Sequence, residues 1–238
     1  MFDVTVRDGV LRLARPDARW LSTGFDGGER RADAAYNVTV PEGWDRTDLA
    51  DYVAERCADA GFDADGPALL TGVSQRHARV ARHVPATAVA TAGLSNPAPL
   101  FAGDGEPEGD EPPPDDAPRA GTVNVFVGVE RSLAPSALAN LVAVAASAKA
   151  ATLDRETGFP GTTTDAVVAA CDPDGERARF SGSGTDAGRA ARACVRDAVR
   201  ASLDSRYAGE EEATPDSVAD ARYGVAPVDE ADVEVFAP

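Results

Sequence analysis

The sequence predicts an α+β or α/β fold in which one mixed β-sheet is packed by about three main helices in a single domain. Apolar stretches of strand length recur along the chain, and three longer segments carry apolar residues at helical spacing. Breaks rich in glycine or proline separate the two kinds of segment. The 238 residues suffice for one large domain with a substantial core. We expect that domain to span residues 1–205.

The first strands are predicted from alternation. Phe2, Val4 and Val6 alternate with polar residues, and the Asp8-Gly9 pair then favours a hairpin turn into a second strand that starts at Val10. Further strands are predicted where short apolar runs end in glycine, proline or small polar residues. These runs cover residues 36–40, 68–74, 87–92, 122–127 and 166–170.

Helices are predicted near residues 46–60, 134–156 and 186–203. The second is almost uniformly small and apolar, so we expect it to be buried on most sides. The third carries a row of arginines on one face, and we expect this face to be solvated and to pair with surface acids. The row consists of Arg189, Arg192, Arg196 and Arg200.

Two segments fall outside this pattern. Residues 102–120 consist almost entirely of proline, glycine and acidic residues, which predicts a solvated loop or a disordered insertion within the single domain. Residues 206–238 are acidic and weakly patterned, and we interpret them as a peripheral C-terminal tail.

The charge balance predicts a protein adapted to high intracellular salt. The net charge is −17, and Lys149 is the single lysine among 23 basic residues. Molar salt screens the repulsion between surface acids, whereas codon bias alone explains the arginines but not the acid excess. Such a charge argues against binding to nucleic acid. Because the start lacks a signal pattern and no apolar run approaches membrane-spanning length, we expect a cytoplasmic protein without a membrane partner.

Several kinds of site are not supported. The chain has no phosphate-binding loop, no dinucleotide fingerprint and no nucleophile elbow. His77 and His83 are the only histidines, and we expect both at the surface. The three cysteines are widely spaced and are expected to be small buried hydrophobes, so no metal site is predicted. Whether the activity needs a metal stays open, and no cofactor is predicted.

A hydroxyl-rich stretch before the predicted strand at 166–170 is the first candidate for a site. Thr162, Thr163 and Thr164 place three hydroxyls beside the carboxylate of Asp165. Asp165 is suited to act as a general base or to orient a hydroxyl. In the structural alternative, the threonines favour a strand and Asp165 accepts hydrogen bonds from loop N–H groups.

Two further features suit the same chemistry. Lys149 stands inside an apolar helix, and a buried ammonium either gives up its proton more easily or neutralises a carboxylate such as Asp165. A chance surviving surface lysine is the alternative. The turn from Ser181 to Thr185 opens the third helix, where free N–H groups suit an anion or a developing oxyanion, or serve as an ordinary helix cap.

Short motifs in a fixed order resemble the adenosylcobinamide amidohydrolase (CbiZ) family of archaeal corrinoid salvage. The matching pieces span about residues 19–205, and each is weak alone. They are Arg19-Trp-Leu-Ser-Thr23 with Gly27-Gly28, Asn37, Thr71-Gly-Val-Ser74, Thr91-Ala-Gly-Leu-Ser-Asn96, Gly121-Thr-Val-Asn124, Lys149, Gly161-Thr-Thr-Thr-Asp-Ala166 and Gly182-Ser-Gly-Thr185.

The resemblance implies hydrolysis of the amide that joins the propionyl side chain of the corrin ring to aminopropanol. The corrinoid is then a small-molecule substrate and not a tightly held cofactor. As hypotheses, we assign catalysis to Asp165, Thr163, Lys149 and Asn124. Substrate binding is assigned to Asn37, Ser74, Asn96, Thr162, Thr164, Gly182, Ser183, Gly184 and Thr185. The alternatives are a non-catalytic corrinoid-binding module and a self-processing threonine hydrolase.

Overall fold

A computed structural model describes residues 1–101 and 121–209 without a break. Of the remainder it describes 214–218, 220–221, 224–225, 227 and 233–237. The predicted insertion at 102–120 therefore lies outside the described residues. Within the described parts of the predicted tail beyond Arg206, the chain forms turns, bends and irregular segments without a helix or strand.

The described residues form eight strands and three helices. In chain order these are β1 (Asp3–Arg7), β2 (Val10–Ser22), β3 (Gly28–Thr39), α1 (Leu49–Asp59), β4 (Ala68–Thr71), β5 (Arg79–His83), β6 (Ala86–Ala92), β7 (Val123–Leu133), α2 (Pro135–Thr157), β8 (Ala166–Ala178) and α3 (Asp186–Arg206). A short 3-10 helix (Gln75–His77) precedes β5.

All eight strands belong to one mixed sheet. The strand order is β4-β3-β2-β8-β7-β6-β5, and β1 pairs with β2 beside this path. The pairs β3–β4 and β7–β8 are parallel, and the other pairs are antiparallel. The parallel pair β7–β8 is connected through α2, as a parallel pair requires a crossover. The predicted α+β class with a mixed sheet and three helices is confirmed.

The sheet folds back over itself, so that the protein has four layers. One core lies between α2, α3 and a face of β6, β7 and β8, while a second lies between the two halves of the sheet. A third packs α1 against the outer face of β3. A register shift between Ala14 and Ala18 interrupts the pairing of β2 with β3, and such bulges let a strand bend.

Close packing between the two halves of the sheet explains one glycine of β7. Phe2 is fully buried, and its ring packs edge-on against Trp20 with the centroids 5.9 Å apart. A Cβ at Gly128 would come within 2.6 Å of the Phe2 ring, which is closer than side-chain atoms can approach. Glycine at position 128 therefore permits the contact between β7 and the N-terminal strand.

The element boundaries differ from the prediction in three places. The helix predicted from residue 46 begins at Leu49, since Asp48 takes the N-cap position and Arg46 bonds back to Asp48 and Glu55. Strands β2, β3, β7 and β8 run several residues beyond their apolar stretches. Strand β5 was missed, because the edge segment RVARH has polar side chains on both faces and lacks an apolar face.

The prediction that His77 lies at the surface is wrong. The side chain is buried beneath α3, where its Nδ1 lies 3.1 Å from the Ser205 hydroxyl. Arg76 Nε donates to His77 Nε2 at 2.8 Å, which requires that nitrogen to be unprotonated. Burial, together with the charges of Arg76 and Arg206, lowers the pKa of His77 below its usual value. His83 lies at the surface, as expected.

His77 should make stability depend on pH. Because its pKa is lowered in the folded state, the unfolded chain binds the proton more readily. The free energy of unfolding should thus fall as the pH drops below about 6.5. We expect His77→Gln to flatten this fall between about pH 7 and 5.5, and His83→Gln to leave it unchanged. Denaturant unfolding at fixed high salt measures both, and equal slopes in wild type and His77→Gln would contradict the assignment.

The cysteines and the arginine row behave as predicted. All three cysteines are buried, and burial raises the pKa of Cys57 to about 11 and the pKa values of Cys171 and Cys194 above their usual range. Their thiols are therefore protonated near neutral pH. Three of the exposed arginines on α3 pair with acids: Arg189 with Asp186, Arg196 with Asp197 and Arg200 with Glu156.

Helix α2 packs against the sheet and against α3 along one face. The expectation that it is buried on most sides is wrong, because small residues such as Ala143 and Ser147 form an exposed face. Among the described residues it is the one helix whose length and apolar composition would allow it to cross a membrane. Half of its most apolar window is buried inside the protein, which is the property of a core helix.

Candidate active site

The candidate residues converge on one edge of the sheet. Strand β6 ends there, and β7 and β8 both begin there, since Ala92 pairs with Val123 and Asn124 pairs with Ala166. The loops that leave and enter these strands carry the predicted motifs. Topology, and not closeness in sequence, brings these motifs together.

Four donors converge on the carboxylate of Asp165. Its Oδ1 accepts the N–H of Val123 at 2.9 Å and the hydroxyl of Thr162. Its Oδ2 accepts the N–H of Thr162 at 3.1 Å and the ammonium group of Lys149. A carboxylate offers about four acceptor positions, so these contacts occupy them all. Asp165 thus accepts loop N–H bonds, as the structural alternative predicted, and it also carries an ion pair.

Lys149 forms this ion pair from the middle of α2. The side chains of Lys149 and Asp165 are only 10% and 11% exposed, so the pair is largely shielded from water. Gly161 closes the pair from the loop side, because a Cβ there would lie 2.6 Å from Asp165 Oδ2 and 3.4 Å from Lys149 Nζ. The residue that the sequence singled out as the only lysine therefore meets the carboxylate proposed as its partner.

Asn96 fixes the threonine loop beside this pair. Its Nδ2 donates to Thr163 Oγ1 at 2.6 Å, and its backbone oxygen accepts the N–H of Thr163 at 3.2 Å. Thr164 Oγ1 bonds the carbonyl of Gly121 at 2.7 Å and the hydroxyl of Thr122 at 2.9 Å. Thr163 and Thr164 are thus held by the loops that precede β7, next to the ion pair.

Asn37 and Asn124 form a separate buried cluster. Asn124 Nδ2 donates to Asn37 Oδ1 and to the carbonyl of Leu70, both at 2.9 Å, and Asn37 Nδ2 donates to Thr91 Oγ1 at 2.9 Å. Neighbouring residues of a strand point to opposite faces, so Asn124 lies between the two halves of the sheet, while Asp165 faces the helices. The structure does not bring Asn124 and Asp165 into one cluster.

The buried amide oxygens of this edge are incompletely satisfied. Among the described residues, Asn96 Oδ1 and Asn124 Oδ1 have no hydrogen-bond donor.

Ser74, which the sequence assigns to substrate binding, is half-buried at the start of the 3-10 helix that follows β4. Its neighbour Gln75 donates to Thr39 at the end of β3, on the same side of the molecule as Asn37.

The glycine-rich turn with Gly182, Ser183, Gly184 and Thr185 lies away from this edge. It follows the end of β8, whereas Asp165 precedes the start of the same strand. Ser181 in this turn donates to the carbonyl of Ala137, which Lys149 follows by about three turns of α2. Thr185 caps α3 by accepting the N–H of Gly188 at 3.0 Å, as the capping alternative predicted.

Two threonines of the network were not singled out from the sequence. Thr91 ends β6 against Asn37, and Thr122 precedes β7 against Thr164. Thr91 lies in the motif piece that ends at Asn96, and Thr122 lies in the piece that ends at Asn124. Their membership of these pieces is the feature of the sequence that could have identified them.

Within the described ranges, no group of three or more His, Cys, Asp or Glu residues is placed to hold a metal ion.

Comparison with known proteins identifies the family. A family model described as adenosylcobinamide amidohydrolase matches residues 2–211. The chain belongs to the adenosylcobinamide amidohydrolase family. The family resemblance that the ordered motifs predict is thereby confirmed.

Two curated members of the adenosylcobinamide amidohydrolase family are similar over most of their length. The adenosylcobinamide amidohydrolase of Halobacterium salinarum is 58% identical over 228 residues, which covers 94% of this chain and 95% of that protein. The Methanosarcina mazei protein of the same name is 27% identical over 211 residues, or 84% of this chain and 97% of that protein.

Among solved structures, the PH0078 protein of Pyrococcus horikoshii is similar at a TM-score of 0.42 and 13% identity. The match covers 84% of this chain and 78% of that chain. A similarity this distant carries no argument about function.

Proposed function

We propose that this protein hydrolyses the amide between the corrin propionyl side chain and aminopropanol in adenosylcobinamide. The products are adenosylcobyric acid and the free amino alcohol. Family membership supports the substrate, and the observation that carries the chemistry is the buried ion pair between Lys149 and Asp165 beside three threonine hydroxyls. Amide hydrolysis requires polarisation of the carbonyl, a positioned water and a proton for the leaving nitrogen.

Lys149 is the proposed electrophile and proton donor. An ammonium group has three N–H donors, and among the described residues Asp165 is its one hydrogen-bond partner. The remaining N–H groups are suited to polarise the amide carbonyl as the tetrahedral oxyanion develops. Lys149 then gives a proton to the leaving nitrogen, and the proton lost by the attacking water restores the ammonium.

Asp165 and Thr163 are proposed to hold the reacting groups in place. Because four donors occupy the carboxylate, orientation of Lys149 and Thr162 is favoured over proton abstraction as the role of Asp165. Thr163 Oγ1 accepts a bond from Asn96 and keeps its own O–H to orient the water. Thr162, Thr164 and Asn96 fix this loop, and Asn37, Asn124 and Ser74 support the strand ends behind it.

We further propose that residues 1–205 form the amidohydrolase domain and that residues 206–238 form a C-terminal tail. The protein is proposed to act in the cytoplasm of a salt-adapted cell. The net charge of −17 supports this, because molar salt screens the repulsion among its surface acids.

Chromatography of a reaction with adenosylcobinamide at high salt tests the proposed function. We expect adenosylcobyric acid to accumulate with wild-type protein. Tight binding of adenosylcobinamide without product would instead support a corrinoid-binding module. Intact mass of the expressed protein tests the self-processing alternative, since cleavage before one of the threonines at 162–164 would give two fragments.

Replacement of Lys149 by arginine should lower kcat by about 100-fold or more, the usual contribution of a general acid. Arginine keeps the positive charge, but its guanidinium is larger and does not release a proton near neutral pH. Steady-state kinetics with adenosylcobinamide measure the effect. An unchanged kcat in Lys149→Arg would limit Lys149 to a packing and pairing role.

A further inference from the structure

An apolar cavity lies at the C-terminal end of α2, near the loop that holds the ion pair. It has a volume of about 390 Å³, which lies within the usual range of ligand pockets. Asp154 is the one charged residue of its lining. The lining consists of Pro99, Leu100, Phe101, Ala150, Ala151, Asp154, Gly158 and Pro160.

The cavity lies beside the candidate active site, although its lining does not include Lys149 or Asp165 themselves. Ala150 follows Lys149 directly in α2, and Pro160 directly precedes Gly161, whose Cα abuts the ion pair. The other wall is tied to the same loop, since the Ala98 N–H donates to the Gly161 carbonyl at 3.0 Å and Pro97 pairs with Thr162. The cavity therefore lies next to the turn of α2 and the loop that carry Lys149 and Gly161.

Two large apolar side chains stand exposed at this cavity. Leu100 and Phe101 are each 69% exposed, although most large apolar side chains of the described chain are buried. Contiguous exposed apolar side chains beside a cavity are a common feature of ligand-binding grooves. Together with Pro99 and Pro160, these residues form what we call the apolar shelf.

We propose that the apolar shelf binds a face of the corrin ring and thereby sets the specificity of the enzyme for corrinoid amides. The inference rests on the proposed function. A corrin is a broad, nearly planar ring whose faces are largely apolar and whose amide side chains project from the rim. A ring lying on Leu100 and Phe101 directs a rim side chain toward Lys149, where the scissile amide is cleaved.

The shelf contributes binding and not chemistry. Truncation of Phe101 or Leu100 to alanine removes apolar surface that contacts the corrin ring and no other part of the substrate. We expect KM for adenosylcobinamide to rise by about 10-fold or more in each variant, with kcat nearly unchanged. The small amide N-(2-hydroxypropyl)propanamide lacks the ring, so its kcat/KM should be equal in the variants and the wild type.

Phe180→Ala is the matched control. Phe180 is also 69% exposed, but it follows β8 at the end of the strand that is distant from Asp165. All three substitutions remove an exposed apolar side chain, so differences among them report position and not folding. We expect Phe180→Ala to have the KM of the wild type for adenosylcobinamide.

The outcomes separate the shelf from the proposed function. Wild-type KM in both Phe101→Ala and Leu100→Ala would overturn the shelf, as would an equal rise in Phe180→Ala. If wild-type protein forms no product, the hydrolase proposal fails and absorbance titration with adenosylcobinamide replaces the kinetics. Weaker binding by Phe101→Ala than by Phe180→Ala would then support the shelf, and equal affinities would overturn it.

Discussion

Replacement of Asp165 by asparagine is expected to abolish hydrolysis of adenosylcobinamide and to destabilise the fold. The amide can still accept the N–H of Val123 or Thr162, but it presents no charge to Lys149. Breaking a buried ion pair by removing one partner costs about 3–5 kcal/mol, because the other charge stays buried and unpaired. Denaturant unfolding and product chromatography measure the two effects.

A double variant separates these effects. Lys149→Met in combination with Asp165→Asn removes both charges, and replacing a whole buried pair by uncharged groups of similar size is often nearly neutral. We expect the double variant to regain most of the stability lost in Asp165→Asn and to remain inactive. Stability that stays low in the double variant would show that Asp165 acts mainly through its bonds to the loop backbone.

Gly161→Ala is expected to reduce kcat by about 100-fold, the size of effect produced by misplacing a catalytic group by about 1 Å. Its Cβ would lie 2.6 Å from Asp165 Oδ2, and that carboxylate has little freedom to move because four donors hold it. The ion pair must therefore separate or shift within the site. Steady-state kinetics at high salt, with circular dichroism to verify folding, measure the result.

The control for this substitution is Gly182→Ala. A Cβ at Gly182 meets its nearest neighbour, Asn140 Nδ2, at an ordinary 3.7 Å, and the turn lies at the other end of β8 from Asp165. Activity should be close to that of the wild type. Strong loss of kcat in Gly182→Ala with normal kcat in Gly161→Ala would place the oxyanion site in the turn and contradict the present assignment.

Helices and strands were predictable wherever the residues that define them are close together in the sequence. Helices α2 and α3 appear at their expected positions because their apolar periodicity and terminal residues are encoded in adjacent sequence. Neither the strand order nor the folding of the sheet over itself was predictable. Both depend on contacts such as Phe2 against Gly128, which join residues far apart in the chain.

The candidate site was predictable in part for the same reason. The pairing of Lys149 with Asp165 was one of the anticipated outcomes, because a carboxylate is one means of neutralising an ammonium group inside an apolar helix. Asn124 was assigned to that site from motif order, and the turn at Gly182 from motif order and from its free N–H groups. Motif order does not reveal the face of a strand or the end of the sheet, and the structure separates both from Asp165.

We expect hydrolysis of adenosylcobinamide to depend on the ion pair between Lys149 and Asp165. The most direct measurement compares adenosylcobyric acid formation by wild-type protein with that by the folded double variant Lys149→Met/Asp165→Asn at equal substrate occupancy. We predict product with the wild type and none above background with the double variant. Product formation by the double variant at the wild-type rate would contradict the account.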